Sequence, residues 1–190
     1  MTRLLLDGRY ALVLRKGGIA EDDGPGRFRL EHERFALFPA WEHERRDWLK
    51  PAARRHLPAE QPAEAPGETP RGESPTSVEL HGHAEVGRIW QVPSREAFDR
   101  LDAHHPWLPP QIDMRFSYKP SRPLYLVALR CHRWPRPHPL PCRDAYAGCR
   151  SWVPLVTADT VPAATLAGSE PAMDEAAFAS LLDAVDAALA

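Results

Sequence analysis

Prolines set the first limit on this chain: 21 of its 190 residues are proline, about twice the usual share in a globular domain. Each fixes φ and removes a backbone donor, so frequent proline favours extended segments, turns and short helices over long helical runs. One long stretch escapes. After Pro171 no proline follows, and Phe178, Leu181, Leu182, Val185 and Leu189 recur at spacings of three and four. This predicts an amphipathic helix over 174–190.

Elsewhere the apolar pattern predicts strands. Asp7-Gly8 separates apolar runs at 3–6 and 10–15 and suits a type I′ hairpin turn between two paired strands. A third strand is predicted over 27–38, with Phe28, Leu30, Phe35 and Leu37 carrying its apolar character, and a short helix in the charged, aromatic stretch 41–56, ended by Pro51. Residues 78–92 read as a strand with a bulge at Gly82 or Gly87. Ser94 can cap a helix running to about residue 103, with Ala97, Phe98 and Leu101 buried and Pro106 as its stop. The run 124–131 is apolar enough for a core strand, while Pro135, Pro137, Pro139 and Pro141 predict a rigid connection after it.

Together these elements predict an α+β fold: a mostly antiparallel sheet or partly open small barrel with a mid-chain helix and a C-terminal helix. The length, and a hydrophobic share of 43%, suit one core and a single domain over 1–190. Residues 58–77 hold Pro58, Pro62, Pro66, Pro70 and Pro75 among glutamates and almost no large apolar side chain. They are expected to form a flexible insertion loop that limited proteolysis cuts first and whose deletion leaves the fold intact.

No apolar run is long enough to span a bilayer, and no secretory leader pattern opens the chain, so a cytoplasmic protein with no membrane partner is expected. Cys131, Cys142 and Cys149 are read as reduced thiols. The formal net charge of −2 conceals a division along the chain. Residues 115–150 carry eight basic side chains against one acidic, a formal +7, whereas 151–190 carry six acidic and no basic ones.

Several chemistries are excluded by motif. The chain has no GxxxxGK[ST], HExxH, GxSxG or CxxC sequence, and Leu14, Trp48 and Ser117 stand two positions before its three lysines where a nuclease-type acidic residue would be. No cofactor is indicated. Three constellations remain. Glu42 and His43, following a strand and Pro39, form a candidate acid/base pair with Lys16 nearby; Arg15-Lys16-Gly17-Gly18 at a strand end suits an anion. His81 and His83, two apart on a strand, are candidate metal ligands, with a third from Glu85, Cys131, His132 or His104. The basic segment, with Arg115, Lys119, Arg122, Arg133, Arg136 and Arg150 among Tyr118, Trp134 and other aromatics, suits phosphates and unpaired bases. An alternative pairs its arginines with the acidic residues of the last helix.

The blocks LVLRKGGI (12–19), FALFPAWEHER (35–45), WLKP (48–51), LYLVALRCHRW (124–134) and GCRSWVPL (148–155) resemble the bacterial DUF1802 family, over about residues 10–155. The chain departs from the family pattern at Ala40 and Glu44, where threonine and glutamine are usual. Family members occur fused or adjacent to restriction-endonuclease-type domains, so the resemblance implies a nucleic-acid context, such as restriction or defence. Three functions are therefore in view: a nucleic-acid-associated binding domain, a small hydrolase or nuclease-like enzyme centred on Glu42, His43 and Lys16, and a protein-interaction module. The sequence leaves the oligomeric state open.

Overall fold

The computed structural model describes residues 1–16, 32–39, 46–57, 76–146 and 152–190. In chain order its main elements are α1 (Thr2–Leu6), β1 (Leu12–Lys16), β2 (Arg34–Ala36), α2 (Pro51–Arg54), β3 (Ser77–Gln91), α3 (Arg95–Asp99), α4 (Pro109–Ser117), β4 (Leu124–Pro141), α5 (Ala163–Leu166), β5 (Glu170–Pro171) and α6 (Glu175–Leu189). The sheet is antiparallel, ordered β1-β4-β3-β2 with β5 also on β4, and it is not closed into a barrel. Residues 27–31, the start of the expected third strand, and 58–75, most of the expected insertion, lie outside the described residues.

β3 and β4 form the spine, paired from Ser77↔Pro141 to Gln91↔Tyr125, with register shifts at Leu80/Gly82 and Val86/Arg88. Both expected glycine sites therefore lie at irregularities. One sheet face carries Leu12, Leu14, Leu126 and Ala128 and packs against Phe178, Leu181 and Val185 of α6. The other carries Val127, Leu129, Cys131 and Ala84 beneath Leu5 and Leu6 of α1. A third cluster, Leu80, Trp134, Leu140 and Tyr146, fills the far end of the spine. There Asp159 is buried, accepts two bonds from Arg143 at 2.5 and 2.7 Å and one from the Tyr146 hydroxyl at 2.5 Å. These donors hold its pKa at about 2.

Several local expectations are corrected. The first apolar run is a helix, not a strand. Leu4, Leu5 and Leu6 are all buried, which an alternating strand with one covered face does not permit. Gly8, at φ 69, closes that helix: Gly8 N–H bonds Leu5 O and Arg9 N–H bonds Leu4 O, the paired bonds of a Schellman end. Pro51 begins α2 instead of ending a helix, because the first helical turn needs no proline N–H. α4, also opening on proline, went unforeseen for the same reason. α3 is shorter than expected, ending at Asp99, although the Ser94 hydroxyl caps it by accepting from Ala97 N–H at 3.1 Å.

The largest correction concerns 134–141, which continues β4. Its prolines fall at alternate positions, so all their missing N–H groups fall on one side of the strand. Cys142 N–H bonds Thr76 O at 2.9 Å, which shows that the even-numbered donors face β3. The odd-numbered prolines face away from it, and described pairing on that side of β4 ends at Arg133↔Glu170.

Candidate functional site

The polar cluster on the spine follows from register. His83 is directly opposite His132 on β4 and Ala36 on β2, and Glu85 is opposite Arg34 and Arg130. Directly opposed residues share a face, as do residues two apart. His83, Glu85, His132 and Arg34 thus gather on one face, between the cluster under α6 and the one around Trp134. The two imidazoles stack with centroids 4.8 Å apart and planes 7° from parallel.

The Trp134 indole N–H donates to His83 Nδ1 at 2.8 Å. Indole is only a donor, so neutral His83 carries its proton on Nε2. Burial lowers the His83 pKa, and His132 and Arg34 lower it further. The Glu85 carboxylate is held below its ordinary range by the hydrogen bond from Arg34. His132 Nε2 is buried and has no hydrogen-bond partner among the described residues. One donor atom from each of His83, Glu85 and His132 lies within 4.8 Å of the others.

This trio holds one of the two expected metal ligands. His81 is exposed, 3.7 Å from Glu79, beside the break in register at Leu80/Gly82. That break removes it from the alternation relating His83 to Glu85. Cys131 points to the opposite face from His132, its thiol pushed up to about 12 by burial, and serves as packing. His104 lies on the connection between β3 and β4.

A second cluster occupies the other end of β4. Lys16 Nζ donates to Phe116 O at 2.9 Å, fastening the end of β1 to the last turn of α4. Lys16 therefore serves as a helix-end donor in this structure. Beside it, Arg15 and Arg115 both have lowered pKa values from poor hydration, and Arg115 depresses Arg15 further by like charge. Arg15 is nevertheless exposed and Arg115 half-buried, so both remain within reach of a ligand. Among the described residues neither arginine has a carboxylate partner. Tyr118 is 50% exposed, and Lys119, at φ 45, places its ammonium 5.2 Å from that ring. Arg122 N–H bonds Lys119 O in the same turn.

The remaining expected residues are dispersed. Glu42, His43, Gly17, Gly18 and Arg150 lie outside the described residues. The acidic C-terminal helix does pair with arginines, but with Arg130, bonded to Glu175, and Arg88, 2.7 Å from Asp186. Arg133 and Arg136 are exposed and form no ion pair among the described residues. One histidine outside these constellations, His105, is 1% exposed and stacks on Phe98 and Trp107.

Among the described residues no helix is long and apolar enough to cross a membrane. Comparison with curated proteins and with solved structures finds no match. A family model does match, over residues 1–184 and thus nearly the whole chain, including the blocks around β1 and β4 that carry the resemblance: the chain belongs to the DUF1802 family, a domain of unknown function.

Proposed function

We propose that this domain binds a polyanion, nucleic acid being the class that fits, through the turn after α4 and the adjoining end of β1. The observation that carries this reading is the pair Arg15 and Arg115, like charges near enough to repel each other and without a carboxylate partner among the described residues. Crowding like charges is unfavourable, and an anion relieves it. Guanidinium forks suit phosphate oxygens, and the exposed Tyr118 ring offers a face for an unpaired base. Lys119 and Arg122 supply further cations in the same turn. A ligand following β4 toward its far end meets Arg133, about 25 Å away at about 3.3 Å per residue. A binding module of this kind fits the restriction or defence setting that the family resemblance implies.

The test is the salt dependence of binding to single-stranded and duplex DNA and RNA, measured in chelator. The double variant Arg15→Gln, Arg115→Gln is expected to bind at least tenfold more weakly. It should also reduce the slope of log affinity against log salt by about 1.4 to 1.8, for two phosphates at about 0.7 to 0.9 each. Absence of binding at low salt, or a slope unaltered by the double variant, would refute the assignment.

A further inference from the structure

We propose that His83, Glu85 and His132 form a site for one divalent transition-metal ion of the Zn2+ type, and that the Trp134 indole competes with the metal for His83. The donor set is two imidazoles and a carboxylate, which suits Zn2+, Co2+ or Ni2+; Ca2+ and Mg2+ take oxygen ligands. His132 Nε2 is buried without a partner among the described residues, an unsatisfied ring nitrogen that a metal would satisfy. Glu85 is already set for the role. Arg34 Nε donates to Oε1 at 2.7 Å, and the Arg34 ion pair falls on the same oxygen, which leaves Oε2 for the metal. Such outer support orients a ligating carboxylate. The Glu85 side chain is 34% exposed, so the cluster has a route to solvent.

The donor atoms lie up to 4.8 Å apart, whereas two nitrogens on a tetrahedral Zn2+ stand about 3.3 Å apart. To close that gap and converge on one ion, at least one imidazole must rotate out of the stack, because lone pairs in near-parallel ring planes do not meet. His83 sets the further condition. Its lone pair lies on Nδ1 and accepts the Trp134 N–H. A metal either takes Nδ1 directly or takes Nε2 and moves the proton to Nδ1, and both routes break the Trp134 bond. Three protein ligands leave a fourth position for water or an exogenous ligand.

The experiment titrates Zn2+ and Co2+ into the metal-stripped full chain without nucleic acid, by calorimetry and by the visible Co2+ spectrum. One equivalent should bind. His132→Gln and Glu85→Gln are each expected to weaken it at least tenfold, His81→Ala to leave it unchanged, and Trp134→Phe to tighten it severalfold by removing the competitor. Glu85→Gln, at a partly exposed position, keeps the test decisive even where His132→Gln fails to fold. No stoichiometric binding to the wild-type chain, affinity indifferent to Glu85→Gln, or a loss on His81→Ala equal to that on Glu85→Gln would each overturn the proposal. Because one measurement excludes nucleic acid and the other excludes metal, failure here leaves the polyanion reading standing, and the converse also holds.

Discussion

Replacing Gly8 by alanine is expected to destabilise the protein by about 2–5 kcal/mol, combining about 1–2 kcal/mol for a side chain in left-handed backbone with about 1–3 kcal/mol for overpacking. Two separate constraints meet at this residue. Its φ is 69°, required by the Schellman end of α1, and a Cβ built there would lie 2.7 Å from the Ala172 carbonyl carbon and closer still to its oxygen. Ala172 N–H in turn bonds Cys131 O at 2.8 Å, so this carbonyl is tethered to β4 and cannot easily yield. Gly8→Asn separates the causes. Asparagine tolerates the left-handed region but still carries a Cβ, so it should recover only a fraction of the loss. Urea unfolding of both variants measures this, and full recovery by asparagine would show that the Ala172 contact is unimportant.

Gly8 also shows how far the sequence was legible. Asp7-Gly8 correctly marked a reversal requiring positive φ, but a hairpin and a helix end use glycine in the same way. Only the burial of Leu4, Leu5 and Leu6 together decides between them, and burial is a tertiary fact. The amphipathic α6 was plain because its 3.6-residue period runs the whole length of the helix, and the Asp174 side chain caps it by accepting from Ala177 N–H at 2.8 Å. Proline misled in both directions. At Pro51 and Pro109 it opens helices, and along 135–141 its two-residue spacing is compatible with a strand whose donors are needed on one side only.

The polar cluster was half legible for a related reason. His83 was visible as a strand histidine, and Glu85 and His132 were within the set from which a third ligand could come. Which of them faces it depends on the register of β4 against β3, and two shifts in that register, one beside His81, cannot be counted from sequence. Arg15 and Arg115 stand 100 positions apart in the chain and were both expected to meet an anion. What sequence could not show is their juxtaposition. It comes from α4, an unforeseen helix, and from Lys16 fastening its end to β1.

Acidification is expected to weaken the fold between about pH 6.5 and pH 4, with His105 as a principal cause. Burial lowers its pKa to about 4. Its Nδ1 accepts from Trp107 N–H at 3.3 Å, and the Nε2 that must then carry the proton is buried without a partner among the described residues. The charged groups around it are Lys50, Arg95 and His104, which oppose protonation, and Asp102, which favours it. The unfolded chain takes up a proton near pH 6.5, whereas the folded chain does so only near 4, so the stability contributed is complete above 6.5 and is lost as pH falls toward 4. The difference amounts to about 3 kcal/mol at the acid end. In His105→Phe the ring can still stack on Phe98 and Trp107. At pH 7 loss of the Trp107 acceptor, about 1 kcal/mol, is offset by removal of the orphaned N–H, so that variant should nearly match the wild type. At pH 4.5 it should be the more stable of the two by about 2–3 kcal/mol. Taking the difference between the two unfolding curves cancels the carboxylates and the other histidines, which titrate alike in both proteins. Parallel curves from pH 7 to pH 4.5 would show that His105 takes up its proton as readily in the folded chain as in the unfolded one, and the buried neutral imidazole would have to be abandoned.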